Sequence, residues 1–239
     1  IKTLSPELSS FFCFCFSTDG KYLAASEVKG SPKREECIYK INIYDTNTWN
    51  IYKTFDTGNI SINFIDWSFN GDFLICTDRF DRSTFMLDIA LSKKIWEQEE
   101  FSSNCIKFSP NGIYLLAAGS DGVIRLLDSK TGNTIYSIVC GDNGEYITYT
   151  PEGYFTGTEW ATKNLVYLVD GMDIIELGQM YDAFYRPDLI AAKFRGESIA
   201  DSESPSMNEI VSTGEAPLLQ FTNPPTSSSS RDITVNFSV

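Results

Sequence analysis

No histidine occurs among the 239 residues. Within these residues that absence excludes a Ser-His-Asp triad, a Cys-His dyad and a His-ligated zinc. Basic residues are scarce too. Nineteen Lys and Arg stand against 32 Asp and Glu, a formal net charge of −13. Proteins that grip a nucleic-acid backbone displace counterions with Lys and Arg, and no basic stripe is present to do so. Anionic membrane surfaces are disfavoured on the same ground, and the acidity favours solubility and basic or neutral partners. No apolar run approaches the length of a membrane span. The six cysteines, Cys13, Cys15, Cys37, Cys76, Cys105 and Cys140, form no C-x-x-C pair, and most sit inside apolar runs. They read as buried free thiols acting as small hydrophobes, with structural disulfides as the alternative. The thiol reading leans towards a reducing compartment.

What the chain does contain is a folded composition, 42% hydrophobic and 14% aromatic. Its pattern is clearest between Asn104 and Gly141. Cys105 to Phe108 ends at Ser-Pro-Asn-Gly, and Tyr114 to Ala118 ends at Gly119-Ser-Asp-Gly122. Val123 to Leu127 ends at Asp128-Ser-Lys-Thr-Gly132, and Thr134 to Val139 ends at Gly141. Short apolar runs separated by Asn-Gly, Asp-Gly and Thr-Gly predict a four-stranded antiparallel meander, because those residues supply the positive φ of tight turns.

The pattern repeats. Phe16-Ser-Thr-Asp-Gly20, Trp67-Ser-Phe-Asn-Gly71, Phe108-Ser-Pro-Asn-Gly112 and Tyr149-Thr-Pro-Glu-Gly153 each set an aromatic before Ser or Thr and close on Gly. The glycines are 51, 41 and 41 residues apart, and the longer interval holds a charged insertion, Val28 to Glu36. A second marker ends the third strand of successive units: Ile41-Asn-Ile-Tyr-Asp45, Thr84-Phe-Met-Leu-Asp88 and Ile124-Arg-Leu-Leu-Asp128. Each Asp is placed to accept backbone N–H groups in the turn that follows, a structural role. Gly20, Gly71, Gly112 and Gly153, with Asp45, Asp88 and Asp128, are therefore read as turn and repeat residues.

A period near 41 with these markers resembles a WD-repeat β-propeller. Where that family carries Trp-Asp this chain has Tyr-Asp, Leu-Asp and Leu-Asp, and the family's Gly-His stands as Gly141-Asp142. The expected fold class is all-β, with propeller blades followed by a short helical segment and the start of a β-sandwich. About four blades are expected over residues 1–178, the last degenerate, with Ile1 to Ser5 as the final strand of a preceding blade. In the fourth, Tyr146 to Tyr149, Tyr154 to Thr156, Asn164 to Val169 and Asp173 to Leu177 supply strands. Residues 179–197 are read as a helical extension, in which Pro187 opens a helix, Asp188 sits in its first turn and Gly196 caps it. Leu189, Ile190, Lys193 and Phe194 form its packing face, set against the propeller rather than a partner. Residues 198–216 read as a linker and 217–239 as the first strands of a truncated immunoglobulin-like domain. Two strands bury no core alone, so the polypeptide is expected to be a segment of a longer multidomain protein.

Residues 149–197 carry a further resemblance in T-P-E-G-Y-F, the aromatic-rich D-A-F-Y-R-P-D-L and a closing Gly-Glu. This stretch is similar to bacterial multidomain WD-repeat proteins, in which a caspase-like peptidase domain often follows the immunoglobulin-like strands. The expected function is a non-enzymatic scaffold for protein–protein interaction. The alternative is a regulatory or sensing arm of a caspase-like cysteine peptidase whose catalytic domain lies beyond residue 239.

No catalytic, cofactor-binding or metal-binding residue is assigned. Partners are expected to be proteins, without nucleic acid or membrane insertion. The inserted loop supplies the candidate contact residues Lys29, Lys33, Arg34 and Glu35, or else forms a solvated hairpin tip. Arg186 and Asp188 are a second candidate surface, or else a helix start. Asp142-Asn-Gly-Glu145 places carboxylates in a turn but falls far short of a twelve-residue calcium loop. Phe11 to Phe16 reads as a buried strand with Cys13 and Cys15 on one face.

Overall fold

The computed structural model of the chain describes residues 9–30, 37–78, 83–99, 103–164, 167–170, 173–176, 181–197, 220–221 and 237–238. The chain divides into two compact units, Ile1–Cys140 and Gly141–Val239. The first holds three antiparallel meanders. Blade 1 is β1 (Ser9–Phe16), β2 (Tyr22–Lys29), β3 (Ile38–Asp45) and β4 (Ile51–Gly58). Blade 2 is β5 (Ile62–Trp67), β6 (Phe73–Asp78), β7 (Thr84–Asp88) and β8 (Lys93–Gln98). Blade 3 is β9 (Ser103–Phe108), β10 (Tyr114–Gly119), β11 (Val123–Asp128) and β12 (Thr134–Cys140). Within each blade the strands pair in chain order.

The repeat sets the register as well as the order. The aromatic before each turn pairs with a leucine across the hairpin: Phe16 with Leu23, Trp67 with Leu74 and Phe108 with Leu115. The same leucines then pair with Tyr44, Leu87 and Leu127 on the third strands. Since a strand's side chains alternate with period 2, a constant register puts equivalent residues of every blade on equivalent faces. Two apolar clusters result. Ala24, Ile41, Ile43 and Phe55 of blade 1 pack with Ile65, Trp67, Leu74, Cys76 and Phe85 of blade 2. Ile75 and Met86, on the opposite face of blade 2, pack with Ile106, Leu115, Ala117 and Leu127 of blade 3.

Strand β1 corrects the expectation of a wholly buried strand. Cys13 and Cys15 face the cluster shared with blade 2, whereas Phe12, Phe14 and Phe16 are exposed. A continuous apolar run does not reveal that only one of its faces is covered. The cysteines are corrected likewise. All six are free thiols, but only Cys76 is fully buried, Cys13, Cys15 and Cys37 are partly so, and Cys105 and Cys140 are exposed. The residues of the inserted loop from 31 to 36, and Ile1 to Ser5, lie outside the described residues.

The second unit opens with a single 3-10 turn, Asp142–Gly144, and the hairpin β13 (Tyr146–Tyr149) and β14 (Phe155–Gly157). Helix α1 (Glu159–Asn164) follows, where a strand was expected to begin at Asn164. Its residues lack period-2 alternation and instead place Glu159 four positions before Lys163, which bonds it at 2.8 Å. The hairpin β15 (Tyr167–Asp170) and β16 (Asp173–Glu176) comes next, then α2 (Tyr181–Phe184) and α3 (Pro187–Phe194). Strands β17 (Gln220–Phe221) and β18 (Phe237–Ser238) pair antiparallel.

Helix α3 has Pro187 in its first turn and ends in a Schellman motif. The Gly196 N–H donates to the Lys193 carbonyl at 2.9 Å and the Glu197 N–H to the Ala192 carbonyl at 3.0 Å. The helix packs on β14, with Ile190 buried and Lys193 paired at 2.6 Å with Glu152 of the turn between β13 and β14. Phe194, expected on the packing face, is exposed instead. It stands one residue before the C-cap, where the helix is already leaving the hairpin.

Candidate interaction surface

The turns at one end of the blades are built by a repeated side-chain device. The Ser17 hydroxyl donates to Asp19 Oδ1 at 2.7 Å and accepts the Tyr22 N–H at 3.0 Å. Ser68 does the same with Asn70 and Phe73, at 2.7 and 2.9 Å, and Ser109 with Asn111 and Tyr114, at 2.6 and 3.0 Å. A hydroxyl and a short carboxylate or amide thereby satisfy the turn's own backbone, and the closing glycine supplies the positive φ, +72° at Gly112. Hydrogen bonds from the Lys21 N–H and the Ser17 hydroxyl hold the Asp19 carboxyl down at about 2.

The aspartates ending the third strands brace the next turns. Asp45 Oδ1 accepts the Asn47 N–H at 3.0 Å and the Thr48 N–H at 2.8 Å. Asp128 Oδ1 accepts those of Lys130 and Thr131, both at 2.9 Å, and Asp88 Oδ1 that of Leu91 at 2.7 Å. Hydrogen bonds from the Thr48 N–H and hydroxyl lower the Asp45 carboxyl below its ordinary range.

A second feature links the blades. Cys15, Asp66 and Lys107 occupy one repeat position, immediately before the turn aromatic of β1, β5 and β9. Asp66, whose side chain is largely buried, accepts from all its neighbours. Oδ1 takes Lys107 Nζ at 2.7 Å and the Cys15 thiol at 3.6 Å, and Oδ2 takes the Phe108 N–H at 3.1 Å. The Trp67 indole N–H donates to the Cys15 carbonyl at 2.9 Å. Burial, then the Asp66 charge, raises the Cys15 thiol, and burial raises Cys13 to about 12. Burial lowers Lys107 but the Asp66 bond and charge outweigh it, so its ammonium is held charged. Thiols kept protonated in this way are poor nucleophiles, so the cluster stitches strands together rather than attacking a substrate. This clamp was not read from the sequence, although its signal was there: three chemically complementary side chains at one repeat position.

Between the turns of blades 2 and 3 lies a cavity of about 370 Å³, lined by Phe69, Phe73, Met86, Ile95, Phe108 and Lys130 among others. Phe69 and Ile95 are exposed. The floor is fixed from beside it, since the Trp96 indole donates to the Ser129 carbonyl at 3.0 Å and its ring lies against Gly132. The Thr18 hydroxyl bonds the Phe69 carbonyl at 2.8 Å and ties the turns of blades 1 and 2.

The candidate contact residues fall elsewhere. Lys29 is exposed at the end of β2, and Lys33, Arg34 and Glu35 lie outside the described residues. Arg186 and Asp188 are brought together, Nε to Oδ1 at 2.9 Å and the terminal nitrogen to Oδ2 at 2.7 Å. That bidentate bond holds the Asp188 carboxyl down at about 2. Both groups sit at the start of α3 and are largely occupied with each other. Glu145 accepts the Thr158 hydroxyl, which ties the 3-10 turn to the segment after β14. Among the described residues no three Cys, Asp or Glu side chains gather as a metal site, and no helix is long and apolar enough to cross a membrane.

Residues 13–167, more than half of the chain, match the family model described as eukaryotic translation initiation factor eIF2A. The chain is similar to WD repeat-containing protein WRAP73 of Mus musculus, 27% identical over 124 residues. It is also similar to WD repeat-containing protein 1-A of Xenopus laevis, 35% identical over 85 residues. These matches cover 50% and 34% of this chain but only 26% and 14% of those relatives' lengths. Among solved structures, a chain of a mitotic checkpoint complex gives a TM-score of 0.47 at 15% identity, covering 61% of this chain and 46% of that one. A chain of Kuenenia stuttgartiensis hydrazine synthase gives 0.43 at 17%, covering 61% and 47%. The repeated four-stranded meanders and the WD-repeat relatives agree on blades of the WD-repeat type.

Proposed function

Since this chain belongs to the eukaryotic translation initiation factor eIF2A family, we propose that it is a non-enzymatic propeller scaffold that holds protein partners at the turn ends of its blades. The supporting observation is an open apolar cavity set in a stiff frame. Buried faces and the Asp66 hydrogen bonds hold blades 1 to 3 together, so the turns keep their spacing. Phe69 and Ile95 then stand exposed at a cavity of about 370 Å³ beside Lys130. Surface turns on a rigid frame are the usual place for recognition, and apolar anchors in a pocket supply most of the energy. The family's description makes proteins of translation initiation the partners to test first. The net charge of −13 favours a basic partner surface and opposes contact with a phosphate backbone.

A photo-crosslinking residue placed at Phe69, with Tyr52 on β4 as the control position, tests this in extracts. The expected result is protein crosslinks from position 69 that fade as salt rises, with few from position 52. Equal labelling at both positions, or crosslinks to RNA alone, would contradict the proposal.

The domain plan proposed with it is a propeller over 1–178, a helical extension over 179–197, a linker over 198–216 and immunoglobulin-like strands over 217–239. The second reading, a regulatory arm of a caspase-like peptidase in a bacterial multidomain protein, is favoured by the order of β14, α2, α3 and the β17–β18 pair. The family match ends at residue 167, before α2 begins. Peptide mapping of the native polypeptide decides it, since a Cys- and His-bearing domain after Val239 is its required mark.

A further inference from the structure

The cavity between the turns of blades 2 and 3 is lined from within the first unit, between Ser68 and Lys130. Its walls are mainly apolar, and most of its polar side chains are already partnered. Asn70 Oδ1 accepts the Ser68 hydroxyl, and its Nδ2 donates to Asp72 Oδ2. The Ser129 hydroxyl donates to the Gly112 carbonyl at 2.7 Å. Blade 3 differs at one repeat position, where Ile113 stands in place of Asp72. Asn111 Oδ1 accepts the Ser109 hydroxyl at 2.6 Å and the Ile113 N–H at 3.1 Å, which fixes the orientation of its amide. With no aspartate beside it, the Asn111 Nδ2 is left without an acceptor among the described residues. Lys130 is exposed, and its ammonium has no ion-pair partner among the described residues. It is also the only charged residue of the described lining. The cavity therefore offers an occupant apolar walls and two open donors, one of them cationic.

We propose that this cavity takes a large apolar side chain from a protein partner whose next residue is Asp or Glu, the carboxylate accepting from Lys130 Nζ and Asn111 Nδ2. This deepens the scaffold reading and rests on it, because it names the anchor that a partner presents. An ionised carboxylate accepts with both oxygens and donates nothing, which matches two open donors. A Lys or Arg at that place would instead face the like charge of Lys130. Phe69 and Ile95, which line the cavity yet stand exposed, carry its apolar surface outward. That gives support to chain running past the anchor, so a segment inside a partner fits better than a chain end. The net charge of −13 acts over longer range and is screened by salt, whereas a hydrogen-bonded pair acts at contact. An acidic residue beside the anchor is thus compatible with a partner that is basic elsewhere.

Methyl NMR of Met86 and Ile95 in the full chain, titrated with synthetic peptides, tests the proposal. The probes are acetyl-Gly-Ser-Leu-Glu-Ser-Gly-amide, its Gln and Lys counterparts, and acetyl-Gly-Ser-Leu with a free terminal carboxylate. The Glu peptide should shift both methyls and bind about three- to fivefold tighter than the Gln peptide, the gain of an exposed ion pair, with the Lys peptide weakest. Lys130→Gln should remove that preference. Asn111→Asp should reverse it with the turn intact, since Asp19 fills the same position in blade 1 and accepts both the Ser17 hydroxyl and the Lys21 N–H. Equal binding of the Glu and Gln peptides, a preference unmoved by both variants, or binding of the free chain end alone would overturn the proposal. So would methyls that no peptide shifts. The scaffold reading fails separately, on the crosslinking at Phe69, which reports a protein partner whatever its anchor.

Discussion

In blade 3, Ser109-Pro-Asn-Gly112 joins β9 to β10, and β11 and β12 follow in the same sheet. In the second unit, Thr150-Pro-Glu-Gly153 joins β13 to β14 by a hairpin one residue shorter, with Tyr149 opposite Phe155 where Phe108 is opposite Leu115, and the chain then enters α1. The turn signal specifies a hairpin, and its register shifts by one residue between the two. It does not specify a blade. Completion needs a third strand that is apolar on alternate positions and ends in an aspartate able to brace the next turn, as Ile124 to Asp128 does. The residues directly after β14 form α1, and the next strand, Tyr167–Asp170, pairs with β16 in a separate sheet. The hairpin instead finds its apolar cover locally, with Phe155 edge-on to Tyr181 and Tyr185 at 5.9 and 5.8 Å.

The comparison can be broken most severely at the turn aromatics. Trp67→Ala removes a side chain buried between two blades together with its indole hydrogen bond, and should cost about 3–5 kcal/mol in urea unfolding. Tyr149→Ala, at the same repeat position but only half-buried, should cost about 1–2 kcal/mol. Equal losses would mean that the two units use the aromatic alike.

A smaller effect separates glycines that share a backbone conformation. Gly132 has φ +76°, and a Cβ there would lie 2.6 Å from the Trp96 ring, whereas at Gly71, φ +79°, it would meet open space. Gly71→Ala should cost about 1–2 kcal/mol for the left-handed backbone alone. Gly132→Ala should exceed it by about 1–3 kcal/mol, the usual range for overpacking, and thermal unfolding of the two variants compares them.

Much of this was legible in the sequence for a physical reason. Turn residues and period-2 alternation are local, so the bounds of β9 to β12, the third-strand aspartates and both ends of α3 follow from neighbours along the chain. What was not legible depends on pairs far apart. The Asp66 clamp joins residues 41 to 51 positions apart. The exposure of Phe14 and Phe16, against the partial burial of Cys13 and Cys15 on β1's other face, depends on packing with β5 and its neighbours about 50 residues away. Cys105 and Cys140 lie in strands, but strand membership does not say which face is covered.

Native-state hydrogen exchange tests the central claim, that the three blades of the first unit form one stitched frame. Amides of β2, β3, β6, β7, β10 and β11 should share one opening free energy to within about 1 kcal/mol, and Asp66→Ala should lower all of them together. Opening blade by blade, with Asp66→Ala felt only at the Phe108 amide, would contradict it and leave a row of independent sheets.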